Sequence, residues 1–577
     1  MKRYAKYIKP YKAYFILGPI FMLTEVAGDV YMPTLMADII NVGAANHDVP
    51  YILRNGALMI LLAFVMMTGG ILGAYFAAKA SIGFCTDLRS DLFKKVQTFS
   101  FRNIDSFSTG SLITRLTNDV TQVQNVIMMG LRMFLRAPGM MVGAIIMAYL
   151  MNKRLTMIFA VAIPLLAVSI AALIFIAFPR FLIMQKKLDA LNTCTQEDLT
   201  NIRIIKSFVR EDFENKKFSE RSADLKQAGL HALRVVILHM PVMMLAMNLT
   251  TLAVVWVGGN QILDGEMPVG DLTAFTTYIV QILMSLMMLA MVLLNSTRAT
   301  ASIRRINEVL ETEAELSDAD AAHPDKTVAE GSIVFDHVSF SYYEGSSEKV
   351  LSDINLKIVP GETVGIVGTT GCGKTSLVQL IPRLYDVSEG RVTVSGIDVR
   401  DYSLENLRSG VGMVLQKNVL FSGSIEDNLR WGDANATDEE IRGVLEDACA
   451  IDFVEKMEKG SRSELERGGA NVSGGQKQRL CIARALLKRP KILILDDSTS
   501  AVDTATEARI RMAFYTTLKD TTVIIIAQRI SSVMEADKIV VMDDGRIVGI
   551  GTHPELMQNC EEYREIYESQ RNREVTA

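Results

Sequence analysis

An all-α bundle of six membrane-crossing helices, followed by an α/β domain built around a phosphate-binding loop, is the multi-domain fold this sequence predicts. Three observations carry that expectation. The 577 residues are 49% apolar with a mean hydropathy of +0.23, yet 22% are charged. Such a mixture reads as an apolar half joined to a soluble half, and the length exceeds what one core organises. Six apolar runs, each near the ~20 residues that cross a bilayer, fill the first half. Finally, Gly368-Thr369-Thr370-Gly371-Cys372-Gly373-Lys374-Thr375-Ser376 fits G-x-x-x-x-G-K-[ST].

The same numbers exclude other classes. A net charge of −5 and the lack of a basic tail argue against a nucleic-acid partner. Cys85, Cys194, Cys372, Cys449, Cys481 and Cys560 show no metal spacing and read as reduced thiols. The basic N-terminus precedes an apolar run with no small-residue cleavage site, so a membrane span is expected there rather than a cleaved signal.

In chain order, Met1 to Tyr14 interleaves Lys2, Arg3, Lys6, Lys9 and Lys12 with Tyr4, Tyr7, Ile8 and Tyr11, a pattern suited to a membrane surface. Spans are then expected over Tyr14–Leu35, Gly56–Phe76, Phe134–Leu150, Leu155–Phe175, Val235–Gly258 and Leu272–Leu294. Arg89, Lys94, Lys95, Arg102 and Arg115 follow the second span. Lys186, Lys187, Arg203, Lys206, Arg210, Lys216 and Lys217 follow the fourth. The loop with Asp264, Glu266 and Asp271 has no Lys or Arg. Positive charge marks the cytoplasmic side, which places the two long loops and both termini there in a multi-pass cell-membrane protein. Leu112, Leu116, Val120 and Val123 recur at helical spacing, so the spans are expected to continue as cytosolic helices.

Two features of the spans invite attention. Glu25 and Asp29 share one face of the first span, and either front a cavity or partner within the bundle or lie at the outer water boundary. Met284, Met287, Met288 and Met291, among 31 methionines, line one side of the last span; they either repack around apolar ligands or simply fill space between helices.

The membrane domain is expected over 1–310, a polar linker over 311–330 and the α/β domain over 331–577. Its first strand is expected over Ile333–Tyr342. The phosphate loop sits between the apolar Thr363–Val367 and a helix-like Leu377–Ile381. Its glycines let backbone N–H groups curl around phosphate oxygens, with a helix N-terminus behind them. Lys374 then reaches the β- and γ-phosphates of ATP, and the Thr375 hydroxyl ligates Mg²⁺. Val472-Ser473-Gly474-Gly475-Gln476 opens a second helix and forms a second anion cradle. One domain does not need two cradles for one ATP, so this one points to a nucleotide held by another subunit. Ile492-Leu493-Ile494-Leu495-Asp496-Asp497 is an apolar strand ending in two carboxylates. Asp496 is placed to hold Mg²⁺, and Asp497 to orient or deprotonate attacking water.

Together with Ser500-Ala501-Val502-Asp503, these motifs resemble the nucleotide-binding domain of an ATP-binding-cassette transporter. The six preceding spans resemble a half-transporter of the multidrug-exporter type, so the resemblance covers nearly the whole chain. It implies that Gly368, Thr369, Gly371, Gly373, Lys374, Thr375 and Ser376 hold the nucleotide phosphates and that Tyr342 stacks on adenine. It further implies that Gln416 senses Mg²⁺ and the membrane half, and that Asp503 links two ATP sites across a dimer. Two positions depart from the family pattern: Asp497 stands where Glu is usual, and Gln528, in Ala527-Gln528-Arg529, where His is usual. The shorter carboxylate loses reach, and an amide cannot shuttle a proton. With Ser473 to Gln476 close to intact, the expectation is the degenerate half of a heterodimer. Such a subunit hydrolyses ATP weakly at its own site, lends its signature to a second half-transporter, and exports small amphipathic compounds. A slow homodimeric exporter of lipid or peptide and an ATP-gated regulatory or channel subunit remain alternatives.

Overall fold

The structure, a computed structural model, describes residues 2–319, 321–343, 348–497 and 504–576. It divides into two compact units. One comprises Met1–Gln97 with Thr109–Glu311, the other Thr98–Ser108 with Thr312–Ala577.

Among the described residues six helices are long and apolar enough to cross a membrane. The chain runs through α1 (Lys12–Asp38), α2 (Val49–Gln97), the short α3 (Phe101–Ser106), α4 (Val120–Met133), α5 (Arg136–Met151), α6 (Lys153–Thr200), α7 (Glu211–Leu263) and α8 (Val269–Glu311). Each expected span lies in one of these helices, except that the third begins at a turn, Phe134–Leu135, joining α4 to α5. At 49, 48 and 53 residues, α2, α6 and α7 far exceed a bilayer's thickness, as the amphipathic loop sequences predict. The stretch with Leu112, Leu116, Val120 and Val123 is not one regular helix, because a π segment at Arg115–Asp119 interrupts it. The wider turn brings Arg115 and Asp119 together onto the buried side.

Apolar side chains cannot drive helix association in lipid, so close backbone approach matters. Gly69 of α2 meets α1 so closely that a Cβ there would strike the Thr24 hydroxyl and come within 3.0 Å of the Phe21 carbonyl oxygen. Outward faces stay apolar, with Val161, Val168 and Phe175 of α6 largely exposed.

Among the described residues the second unit carries a six-stranded, a four-stranded and a two-stranded sheet, and the longer strands of the first two set the fold. These strands are β1 (Ile333–Phe340), β2 (Leu351–Ile358), β3 (Thr363–Gly368), β4 (Glu389–Val394), β5 (Val411–Val414), β6 (Ile492–Asp496), β7 (Thr522–Ile526), β8 (Lys538–Asp543) and β9 (Arg546–Gly551). The core sheet runs β9-β8-β3-β7-β6-β5, parallel except for β9. Its β6 and β7 are buried at every residue, which accounts for their unbroken apolar runs. β1 pairs antiparallel with β2 and β4, and ends at Phe340 rather than Tyr342 because its partner starts at Leu351. The register aligns Ile526 of β7 with Ile366 of β3 and with Asp496 of β6. The segments leaving those three strands therefore emerge side by side, at the edge where open parallel sheets place ligands.

Residues 98–108 pack with this unit. Ser100 caps α3 reciprocally with Asn103, and Asp105 accepts a hydrogen bond from the Tyr385 hydroxyl at 2.8 Å. Arg102 pairs with Glu315. The stretch expected to be a linker lies along the same unit: Asp318 accepts from Leu404 N at 3.1 Å, Pro324 O from the Asn406 amide at 2.7 Å, and Val328 is buried against Gly410.

Candidate functional site

β3 ends at Gly368, and the chain turns through Gly371 and Gly373 with φ of +89° and +93°, a left-handed conformation that favours glycine. A Cβ at Gly371 would meet nothing within 4 Å, so the concave side of the loop is open. The following helix α9 (Lys374–Gln379) is only six residues long. A helix this short has little dipole, so the loop's own N–H groups are the donors available to cradle an anion. Lys374 folds over the loop and donates to the carbonyls of Gly368 (2.9 Å) and Thr369 (2.7 Å). Thr369 donates to Asp543 at 3.1 Å, and the Tyr342 and Ser376 hydroxyls share a hydrogen bond of 2.8 Å. The Tyr342 ring packs edge-on against Phe340 and Tyr385.

Asp496 ends β6 beside this loop, 1% exposed. Its Oδ1 accepts from the Thr375 hydroxyl at 3.1 Å, while its buried Oδ2 has no hydrogen-bond partner among the described residues. Burial pushes this carboxyl above its ordinary range. The Asp497 charge adds to the shift, and Thr375 and Lys374 oppose it. A buried carboxylate short of one partner, next to a hydroxyl, is the hard oxygen donor set that Mg²⁺ takes, so the residues fit the ion the motif implies.

Asp497 occupies left-handed backbone, with φ of +49°. Asp tolerates that conformation better than longer side chains do, because its short polar group bonds locally. Its N–H donates to Ile526 O at 3.0 Å, and its carboxylate accepts from the Gln528 amide at 2.7 Å and from Gln416. Burial raises its pKa, while the hydrogen bonds from Gln528 and Gln416 oppose the rise. The two departures from the usual pattern are thus bonded to each other. One contact escaped the sequence reading: Gln478, buried in α10 (Gly474–Leu487), donates to Asp497 O at 3.3 Å. Gln478 shares a helix face with Cys481, Ile482 and Ala485, and a polar residue on that apolar face was the available signal.

Ser473 caps α10, accepting from Gln476 N (3.3 Å) while the Gln476 side chain accepts from Ser473 N (2.8 Å). The helix start, with Gly474 and Gly475, is exposed or half-buried. No described hydrogen bond joins it to the phosphate loop. Asp503, with Ser500, Ala501 and Val502, lies outside the described residues.

In the membrane unit the structure supplies Glu25 and Asp29 with a counter-charge, Arg136 of α5, at 2.8 and 3.4 Å. Gln281 of α8 donates to Asp29 O at 2.7 Å. Glu25 Oε2 and Gln281 Oε1 are buried without hydrogen-bond partners among the described residues. Met284, Met287 and Met291 are exposed on α8.

Known proteins share this arrangement. Residues 15–286 match the ABC transporter transmembrane region family, and residues 351–500 match the ABC transporter family. An uncharacterized ABC transporter ATP-binding protein of Bacillus subtilis, YfiB, is 40% identical over 577 residues, covering 100% of this chain and 99% of its own. The ATP-dependent lipid A-core flippase of Desulfotalea psychrophila is 31% identical, with 99% of each chain covered. The ATP-bound structure of a bacterial Atm1-family ABC exporter superposes with a TM-score of 0.81 over 98% of both chains at 24% identity, which establishes the shared fold. A multi-pass membrane half with its ATP-binding domain, matched end to end by such relatives, makes this chain a member of the ABC transporter family, an exporter half-transporter.

Proposed function

We propose that this chain is one half of a heterodimeric exporter that moves amphipathic compounds out of the cell, and that its own ATP site hydrolyses slowly. The observation that carries the reading is the 2.7 Å bond between Gln528 and Asp497, which occupies the carboxylate expected to receive a proton from water. Tyr342 stacks on adenine, and residues 368–376 hold the phosphates. Thr375, Asp496 and Gln416 hold Mg²⁺. Held by these three residues, Mg²⁺ would supply the positive charge that offsets negative charge developing on the transferred phosphoryl group. Lys374 exchanges its loop carbonyls for phosphate oxygens. Ser473, Gly474, Gly475 and Gln476 complete the ATP site of the second half-transporter, and Asp503 links the two sites. The membrane domain spans 1–310, residues 311–330 connect it, and 331–577 form the nucleotide domain. That domain and both termini lie in the cytoplasm, as the loop charges indicate.

Two relatives bear on cargo. A Bacillus subtilis protein 33% identical over 98% of both chains is named a putative multidrug export ATP-binding/permease protein, and the Desulfotalea relative is named a lipid flippase. Both names fit amphipathic cargo, and the second keeps a slow homodimeric lipid exporter as the competing reading. Steady-state ATPase of the purified transporter separates them. In a heterodimer Ser473→Arg strikes the working site, and it is expected to cost about ten-fold more activity than Asp497→Asn. A larger loss from Asp497→Asn would favour two equivalent slow sites.

A further inference from the structure

Strand β7 hands the chain to Ala527-Gln528-Arg529-Ile530, the segment that presents Gln528 to Asp497. Gln528 and Arg529 are exposed, and the segment has little ladder of its own beyond Ala527 N donating to Ile366 O at 3.3 Å. A side chain from the far end of the sequence holds it. Gln570, on the C-terminal helix α12 (Glu561–Thr576), donates through Nε2 to Gln528 O at 2.8 Å and accepts through Oε1 from Ile530 N at 2.9 Å. Both ends of one carboxamide therefore bracket the backbone around residue 528. Glutamate offers no donor for Gln528 O, and asparagine is a methylene shorter.

The helix behind the clamp is itself anchored. Tyr563 is fully buried and shares a 2.8 Å hydrogen bond with His553, while Ile566 and Tyr567 pack on the core beneath the sheet. From the opposite side, Arg511 of α11 (Thr504–Thr517) donates to Ser531 O at 2.9 Å. Three backbone groups of one short segment thus depend on side chains from two helices.

We propose that Gln570 is a positioning residue for ATP hydrolysis, a clamp from the C-terminal helix that fixes the backbone around residue 528 and thereby aims the Gln528 side chain at Asp497. The hydrolytic part rests on the reading of Asp497 and Gln528 given above; the clamp itself rests on geometry alone. Among the described residues Gln570 bonds Gln528 O and Ile530 N and no phosphate-loop group, so its loss should act on turnover rather than on ATP capture.

The test uses the full-length transporter in its native assembly. In Gln570→Ala, amide hydrogen exchange at Ile530 is expected to rise about ten-fold, with exchange in β6 and around Tyr563 unchanged. The slow phase of single-turnover hydrolysis is expected to change about three- to ten-fold with the ATP affinity unaltered. Gln570→Glu, which keeps the acceptor and loses the donor, should fall between. The double variant Gln528→Ala/Gln570→Ala should do no more than Gln528→Ala alone, because both act through one hydrogen bond. Unchanged exchange at Ile530, or a rise spread along the whole of α12, would overturn the clamp. Additive effects in the double variant would overturn its action through Gln528. If Gln528→Ala leaves hydrolysis untouched, the hydrolytic-pair reading falls, and exchange at Ile530 alone decides the clamp.

Discussion

Each unit of this chain buries a carboxylate, and the two are treated in opposite ways. Asp119 is fully buried, and both its oxygens are bonded: Oδ2 accepts from Arg305 Nε at 2.8 Å, and Oδ1 from the Ser302 hydroxyl at 2.9 Å and from the second arm of Arg305. Asp496 is buried almost as deeply, yet among the described residues one oxygen takes the Thr375 hydroxyl and the other takes nothing. Burying an anion is costly unless it is paired. An anion satisfied within its own unit is scaffold, whereas one left short marks where a cation must arrive from outside.

The sharpest way to probe the second kind is to remove the cation that accompanies it. Lys374→Ala is expected to weaken ATP binding at this site on the order of a hundred-fold, since the phosphates lose a fixed charge-assisted donor. Fold stability should hold, because among the described residues Lys374 bonds two loop carbonyls and a weak cysteine acceptor. Titration with a fluorescent ATP analogue reads the change, and unaltered affinity would erase the distinction between the two carboxylates. Asp119→Leu should do the reverse: it leaves Arg305 and Ser302 unmatched, at about 1–3 kcal/mol given that Arg305 is half exposed. A lower thermal midpoint in detergent, with ATP affinity kept, is the expected pair of results.

Asp496→Asn carries the opposite sign. The amide oxygen still accepts from Thr375, but the uncompensated charge is gone, so nucleotide-free stability at neutral pH should rise by about 1 kcal/mol. Because the folded carboxyl titrates above its unfolded value, its charge costs stability only at higher pH. The variant's gain should therefore shrink as pH falls through the raised value and vanish below the ordinary carboxylate range. Mg²⁺ should no longer tighten nucleotide binding, and a variant that still responds to Mg²⁺ would move the ion elsewhere. The smallest effect is expected at the membrane cluster, an intermediate case in which two carboxylates share Arg136. Glu25→Gln with Asp29→Asn turns its charge from negative to positive and should lower export of cations about three-fold more than export of neutral compounds. Equal losses would assign the cluster to packing.

The sequence was most legible where chemistry demands particular residues at fixed spacing. The segments that carry Gly368 to Ser376, Asp496, Asp497 and Gln528 leave three strands whose register brings them to one edge. Side chains whose role depends on distant pairing were illegible. Gln570 looks like an ordinary helix-surface glutamine until the fold sets it against Gln528 O. The π segment at Arg115–Asp119 was hidden for a different reason: a period-3.6 pattern carries no mark of one inserted residue until burial shows which side chains turned inward. Arg136 could not be matched to Glu25 and Asp29 from spacing, since they lie on different helices.

The seat of residues 98–108 has a consequence for how the protein is made. Asp105 and the tyrosine that bonds it are 280 residues apart. At ribosomal speeds of about 5–20 residues per second, that separation is a delay of roughly 14–56 s. During this interval α3 has left the ribosome while Tyr385 has yet to be synthesised. The nucleotide unit therefore cannot be completed by its own contiguous stretch of chain: the piece that caps Tyr385 is delivered early, flanked on both sides by membrane helices, and the domain closes on it last. Covalent order and assembly order run against each other here, so a nucleotide domain cut free at its sequence boundary would fold without one of its own parts.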